Sequence, residues 1–199
     1  MNHVFHKGTN HKTIILLHGT GGNEHDLINL GRYIDPHANL LGIRGNVLEN
    51  GMPRFFKRIS LGVFDEINLR EETKNLRDFI DKAIIKYNLD PNHIHALGYS
   101  NGANILVSLL FLYPDIISKA MCLHAMIPLR DVILNENLKT KVLLTSGRED
   151  HMVSSHEVKE LKEMLVNAKY EVDLYETEYG HQLTEMEIDF VKKWYDKTK

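Results

Sequence analysis

Ser100 sits between two glycines in Gly98-Tyr99-Ser100-Asn101-Gly102. A serine hydroxyl becomes a nucleophile only when a base takes its proton and an acid orients that base. Both partners can be found downstream. Asp150 closes Ser146-Gly147-Arg148-Glu149-Asp150, and His181 closes Thr177-Glu178-Tyr179-Gly180-His181. Nucleophile, acid and base in that chain order, each just after a strand, form the catalytic set of a hydrolase built on a parallel sheet. Glu149 adjoins Asp150 and competes for the acid's role. Asp173 falls inside a strand and is expected at the surface.

An acyl-transfer site also needs two donors for the oxyanion. The amide of Asn101, directly after the serine, is one. The amide of Thr20, in His18-Gly19-Thr20-Gly21-Gly22, is the expected second, because glycines on either side let the backbone approach a substrate. His18 is read as a structural residue that shapes this loop.

These residues need a scaffold of strands and helices. Thr13–Leu17, 39–43, 93–97, 118–123, 141–145 and 171–176 are short apolar or β-branched runs that read as strands, and 4–6 as an edge strand. Helical patterns lie between them: from a cap at Asn23 to about Tyr33, one or two helices over 65–87, then about 155–168 and 185–196. Residues 44–64 read as a long loop. After Ser100, residues 103–112 form a helix that is apolar nearly all round, hence buried, and Pro114 stops it. Its N-terminus points amide hydrogens and a positive dipole end at Ser100. Alternating strands and helices predict an α/β fold with a mostly parallel sheet covered on both faces. A single domain over 1–199 is expected, without a cap domain, because the longest connections after the serine run about seventeen residues.

The composition excludes other classes. The formal net charge is −3, with no basic block, so neither nucleic acid nor an anionic membrane is an expected partner. The single cysteine, Cys122, forms no intramolecular disulfide and reads as core. The N-terminus lacks a signal-peptide core, and no apolar run is long enough to cross a bilayer. A cytoplasmic protein is expected. His93 and His95, two apart on a strand, share a face, but no further ligands accompany them. No metal or organic cofactor is expected.

The motifs LLHGTGGNEHDL (16–27), RGNVLENGMPRFFKR (44–58), ALGYSNGAN (96–104), SGRED (146–150) and YGHQL (179–183) together resemble the phospholipase/carboxylesterase group of α/β-hydrolases, which includes acyl-protein thioesterases. Within it the chain is most similar to small bacterial carboxylesterases of the methylhydroquinone-resistance type. The resemblance implies Ser100, Asp150 and His181 as catalytic residues. Two features depart from the thioesterase-like members: Asn101 stands where they carry Gln, and Gly51–Lys57 replaces their Trp-Phe-Asp-like stretch. The expected activity is hydrolysis of short, medium-chain or aromatic carboxylic esters. A thioesterase is the alternative, and a ligand-binding protein without turnover a third. Phe55, Phe56, Met126, Ile127 and Met152 are candidate pocket residues. Arg54 and Glu49 either bind a polar substrate group or pair with each other. The expected partner is a small ester, and a homodimer is compatible with the sequence.

Overall fold

Strand β2 (Thr13–Leu17) is five residues long and buried throughout. Its side chains alternate between two cores. Ile15 and Leu17 join one cluster, and Ile14 and Leu16 join the other. A strand that is apolar on both faces requires cover on both faces, as in parallel α/β sheets. The computed structural model describes residues 1–60 and 62–198 and shows this arrangement.

The other strands of the main sheet are β1 (His3–His6), β3 (Asn39–Ile43), β8 (Ile94–Tyr99), β9 (Lys119–Leu123), β10 (Lys141–Gly147) and β11 (Glu171–Thr177). Their order is β1-β3-β2-β8-β9-β10-β11. All neighbours are parallel except β1 and β3. The chain steps outward from β2 to β3, then returns to the other side of β2 with β8. That reversal opens a crevice beyond the carboxyl ends of β2 and β8, where such sheets bind ligands.

Helices α1 (Ile28–Ile34) and α5 (Glu185–Lys197) cover the face carrying Ile14 and Leu16. Helices α2 (Glu66–Tyr87), α3 (Asn101–Leu112) and α4 (Ser155–Asn167) cover the other. Side-chain caps start three of them: Asp65 accepts from the Asn68 amide, Ser154 from Glu157 and Thr184 from Glu187. In α3 every residue from Asn101 to Phe111 is buried, as its composition predicts.

Three expectations need correction. The segment 44–64 is not plain loop. It contains two small hairpins, β4 (Val47–Glu49) with β5 (Met52–Arg54), and β6 (Arg58–Ser60) with β7 (Val63–Phe64). Helix α1 begins at Ile28 rather than after Asn23, whose side chain instead accepts from the His25 amide in a turn. His93 lies in a 3₁₀ turn before β8, so it does not share a strand face with His95. The 124–140 connection holds no helix or strand.

Candidate active site

Strand β8 turns into α3 through Ser100, whose φ of 52° and ψ of −113° lie outside the regions an L-residue favours. Such strain costs about 1–3 kcal/mol and persists only where surrounding contacts enforce it. The flanking glycines explain how the turn closes. A Cβ on Gly102 would lie 2.0 Å from the Leu17 carbonyl oxygen, and one on Gly98 would lie 2.3 Å from that of Gly102. The Ser100 amide donates to the Leu123 carbonyl at 2.9 Å, which ties the elbow to β9.

Loops after β10 and β11 bring Asp150 and His181 to this turn. Ser100 Oγ lies 2.8 Å from His181 Nε2. His181 Nδ1 lies 2.7 Å from Asp150 Oδ2. With the Nδ1 proton directed to the carboxylate, Nε2 is free to accept from the serine. The Tyr99 hydroxyl donates to the His181 carbonyl at 2.9 Å and fixes that loop. The amides of Met152 and Val153 donate to Asp150 Oδ1 at 2.8 and 3.0 Å. Burial alone would raise the pKa of Asp150, but the hydrogen bonds from His181, His124 and these amides outweigh it and hold the pKa below the usual carboxylate range. Glu149 is exposed and does not join the set. Asp173 accepts from the Trp194 indole at 2.7 Å, outside the site.

His124 completes the site and was not among the candidates. It follows β9 with φ at 55°, and its side chain is fully buried. Its Nδ1 lies 3.0 Å from the same Asp150 Oδ2 that meets His181. Its Nε2 lies 3.2 Å from Glu187 Oε1 and 3.4 Å from Oε2. One carboxylate oxygen therefore serves two imidazoles, and a second buried carboxylate backs the outer one. Burial disfavours the charged ring, yet the hydrogen bonds and charges of Glu187 and Asp150 prevail and raise the pKa of His124 above its ordinary value. The grouping of His124, Asp150 and His181 has ligand-like spacing. Protein partners already engage all four ring nitrogens. A second grouping, of His11, Asp90 and His93, is more exposed and does not line the cavity that holds Ser100.

The loop after β2 faces the elbow. Thr20, Ser100, Asn101, His181 and His124 line one cavity of about 240 Å³. Among the described residues the Thr20 amide has no acceptor. Asn101 is the first residue of α3, so its amide has no intrahelical acceptor. His18 acts structurally, as expected: its Nδ1 meets the Gly19 carbonyl at 2.6 Å, and its Nε2 accepts from the Gly45 amide at 3.1 Å. The Asn101 side chain accepts from the Phe55 amide at 2.7 Å and so anchors the hairpin segment to the elbow.

Met126 and Met152, two of the candidate pocket residues, line the cavity. Phe55, Phe56 and Ile127 do not. Both phenylalanines are fully buried in the core on the α3 face, because the segment after β5 turns inward. Ile127 is also core, and its amide is held by Glu157 at 3.1 Å. Arg54, one of the two candidates for a polar substrate contact, lines the cavity and also faces Glu49 at 3.4 Å. Arg58, Asn104 and His151 add polar lining that the sequence did not single out.

The sheet order, the strained serine elbow and its hydrogen-bonded histidine and carboxylate define an α/β-hydrolase. The phospholipase/carboxylesterase family pattern matches residues 4–199, and the chain belongs to that family. It is 47% identical to MhqD of Bacillus subtilis (strain 168) over 195 residues, covering 98% of both chains. The crystal structure of a Bacillus cereus carboxylesterase superposes with a TM-score of 0.97 at 47% identity, over 99% of this chain and 94% of that one. A structure of YahD with malic acid matches with a TM-score of 0.94 at 34% identity, over 100% and 99%. Membership places the protein among ester hydrolases. Among the described residues, no helix is long and apolar enough to cross a membrane.

Proposed function

We propose that the protein hydrolyses small carboxylic esters through an acyl-enzyme on Ser100. The observation that carries this reading is the continuous chain from Ser100 Oγ through His181 to Asp150, with contacts of 2.8 and 2.7 Å, at a strained strand-to-helix turn. His181 takes the serine proton as Oγ attacks the ester carbonyl. Asp150 orients the imidazole and stabilises its charged form. The amides of Thr20 and Asn101 receive the negative charge that forms on the carbonyl oxygen. His181 then delivers its proton to the leaving alcohol. In the second half, His181 removes a proton from water as the water attacks the acyl carbon, then returns that proton to Ser100 Oγ as the acyl–oxygen bond breaks and the acid leaves. No step calls for a metal or an organic cofactor.

The cavity of about 240 Å³ is below the usual range for drug-sized ligands, which favours short acyl chains or a single aromatic ring. The malic acid of the YahD structure makes small carboxylic acids a class to include among candidate products. A p-nitrophenyl ester series from acetate to decanoate tests the reading. The expected result is the highest kcat/KM at short chains, and turnover lost in Ser100→Ala. A variant that kept its activity would overturn it.

A further inference from the structure

The hairpins between β3 and α2 place two arginines at the cavity that holds Ser100. Arg54 is only 4% exposed, yet it lines this cavity together with Arg58. A buried guanidinium needs compensation. Glu49 supplies part of it: its carboxylate lies 3.4 Å from Arg54 Nη1 and 2.9 Å from Arg58 Nε. One carboxylate thus faces two guanidiniums, and one positive charge is left over. The remaining contacts of Arg54 are neutral. Nη1 donates to Thr20 Oγ1 at 2.9 Å, and Nε donates to the Phe56 carbonyl at 3.3 Å. Among the described residues, Nη2 has no acceptor.

The rest of the lining agrees with that imbalance. Among the described residues, no acidic side chain lines the cavity itself; the carboxylates of Asp150 and Glu187 stand behind His124 and His181 and balance them, so the surplus positive charge at the wall is that of the arginines. Asn101, which also lines the cavity, keeps a buried Nδ2 with no acceptor among the described residues. The contact between Thr20 and Arg54 sets the guanidinium one hydrogen bond from the proposed oxyanion loop. Ser100, Thr20 and the two arginines thus share one cavity of about 240 Å³.

We propose that Arg54 and Arg58 form an anion subsite, and that the preferred substrates are small esters carrying a second, ionised acid group such as a carboxylate. Planar guanidinium forks suit carboxylates because they donate two parallel hydrogen bonds. Glu49 sets the strength of the subsite by neutralising one of the two arginines. This proposal rests on the ester-hydrolase reading of the same cavity.

The test measures kcat/KM for matched charged and neutral esters. One pair, 4-acetoxybenzoate and 4-acetoxybenzamide, carries the charge on the leaving group. The other, the mono-p-nitrophenyl ester of adipic acid and p-nitrophenyl heptanoate, carries it on the acyl group. Loss of a charge-assisted hydrogen bond corresponds to about 10- to 100-fold in rate. We expect the wild type to prefer the anionic member of at least one pair by that factor, and Arg58→Gln to lower the ratio about tenfold. Glu49→Gln should raise the ratio, because it leaves both arginines uncompensated. Added salt should reduce the wild-type preference. Because each ratio is taken within one variant, a partial loss of folded protein cancels. Equal rates within both pairs, or a ratio unmoved by both substitutions, would overturn the anion subsite. In that event, neutral esters hydrolysed through Ser100 would leave the ester-hydrolase reading standing.

Discussion

Replacing His124 with leucine removes the only hydrogen-bonding or ion-pairing partner of the Glu187 carboxylate among the described residues. Glu187 is fully buried, and both of its oxygens face His124 Nε2, at 3.2 and 3.4 Å. The substitution leaves a fully buried carboxylate without its partner. Removing one partner of a buried pair costs about 3–5 kcal/mol, most of it the penalty on the partner left behind. For a chain of this size that corresponds to a fall in Tm of roughly 6–20 °C. Urea denaturation should show a lower midpoint with an unchanged slope. A double-mutant cycle isolates the cause. If the stranded carboxylate carries the cost, His124→Leu combined with Glu187→Gln loses less than the sum of the two single changes, by about 1–3 kcal/mol. Asp150 would keep its contacts to His181 and to the amides of Met152 and Val153, so detectable esterase activity should survive in the folded fraction. A midpoint shift below about 1 kcal/mol, or simple additivity in the cycle, would refute the reasoning.

Three further outcomes follow from the same geometry. The folded-state pKa of His124 lies above its unfolded value, so its contribution to stability is complete below about pH 6.5 and fades as pH rises through the raised value. Stability measured across that window should decline in the wild type and decline less in Glu187→Gln. Asn101→Ala removes the acceptor held 2.7 Å from the buried Phe55 amide and should cost about 1–3 kcal/mol by denaturation, while the amide at position 101 remains for the oxyanion. Gly102→Ala forces a methyl group to 2.0 Å from the Leu17 carbonyl; it should give little folded protein and no esterase activity, as read by circular dichroism and p-nitrophenyl acetate turnover.

Much of this architecture was legible because buried parallel strands are apolar on both faces. Thr13–Leu17 and Lys119–Leu123 could hardly have been surface segments, and their bounds differ from the reading by at most one residue. The candidate triad was legible for a different reason. Its members lie in the turns just after strands, and their order along the chain matches the order the sheet topology needs. His124 also follows a strand end, and that was its only signal. Its partners lie 26 and 63 residues away, and local pattern carries no trace of such contacts. Segment 44–64 misled in the opposite direction. Its glycines and proline suggested open loop, whereas two hairpins fold it back. Phe55 and Phe56 thereby turn into the core, and Arg54 and Arg58 take the cavity wall instead. Whether an aromatic pair in a connection faces a cavity or a core depends on tertiary packing, and its own spacing does not reveal it.

The most direct test of the account is the intact mass of the protein after exposure to a fluorophosphonate probe. Only a serine activated by its neighbours attacks this phosphorus centre at an appreciable rate. The geometry at Ser100 predicts a single covalent adduct, mapped to the peptide containing Ser100 and absent in Ser100→Ala and His181→Ala. No adduct in the folded wild-type protein, or an adduct that persists in Ser100→Ala, would contradict the assignment of Ser100 as the nucleophile.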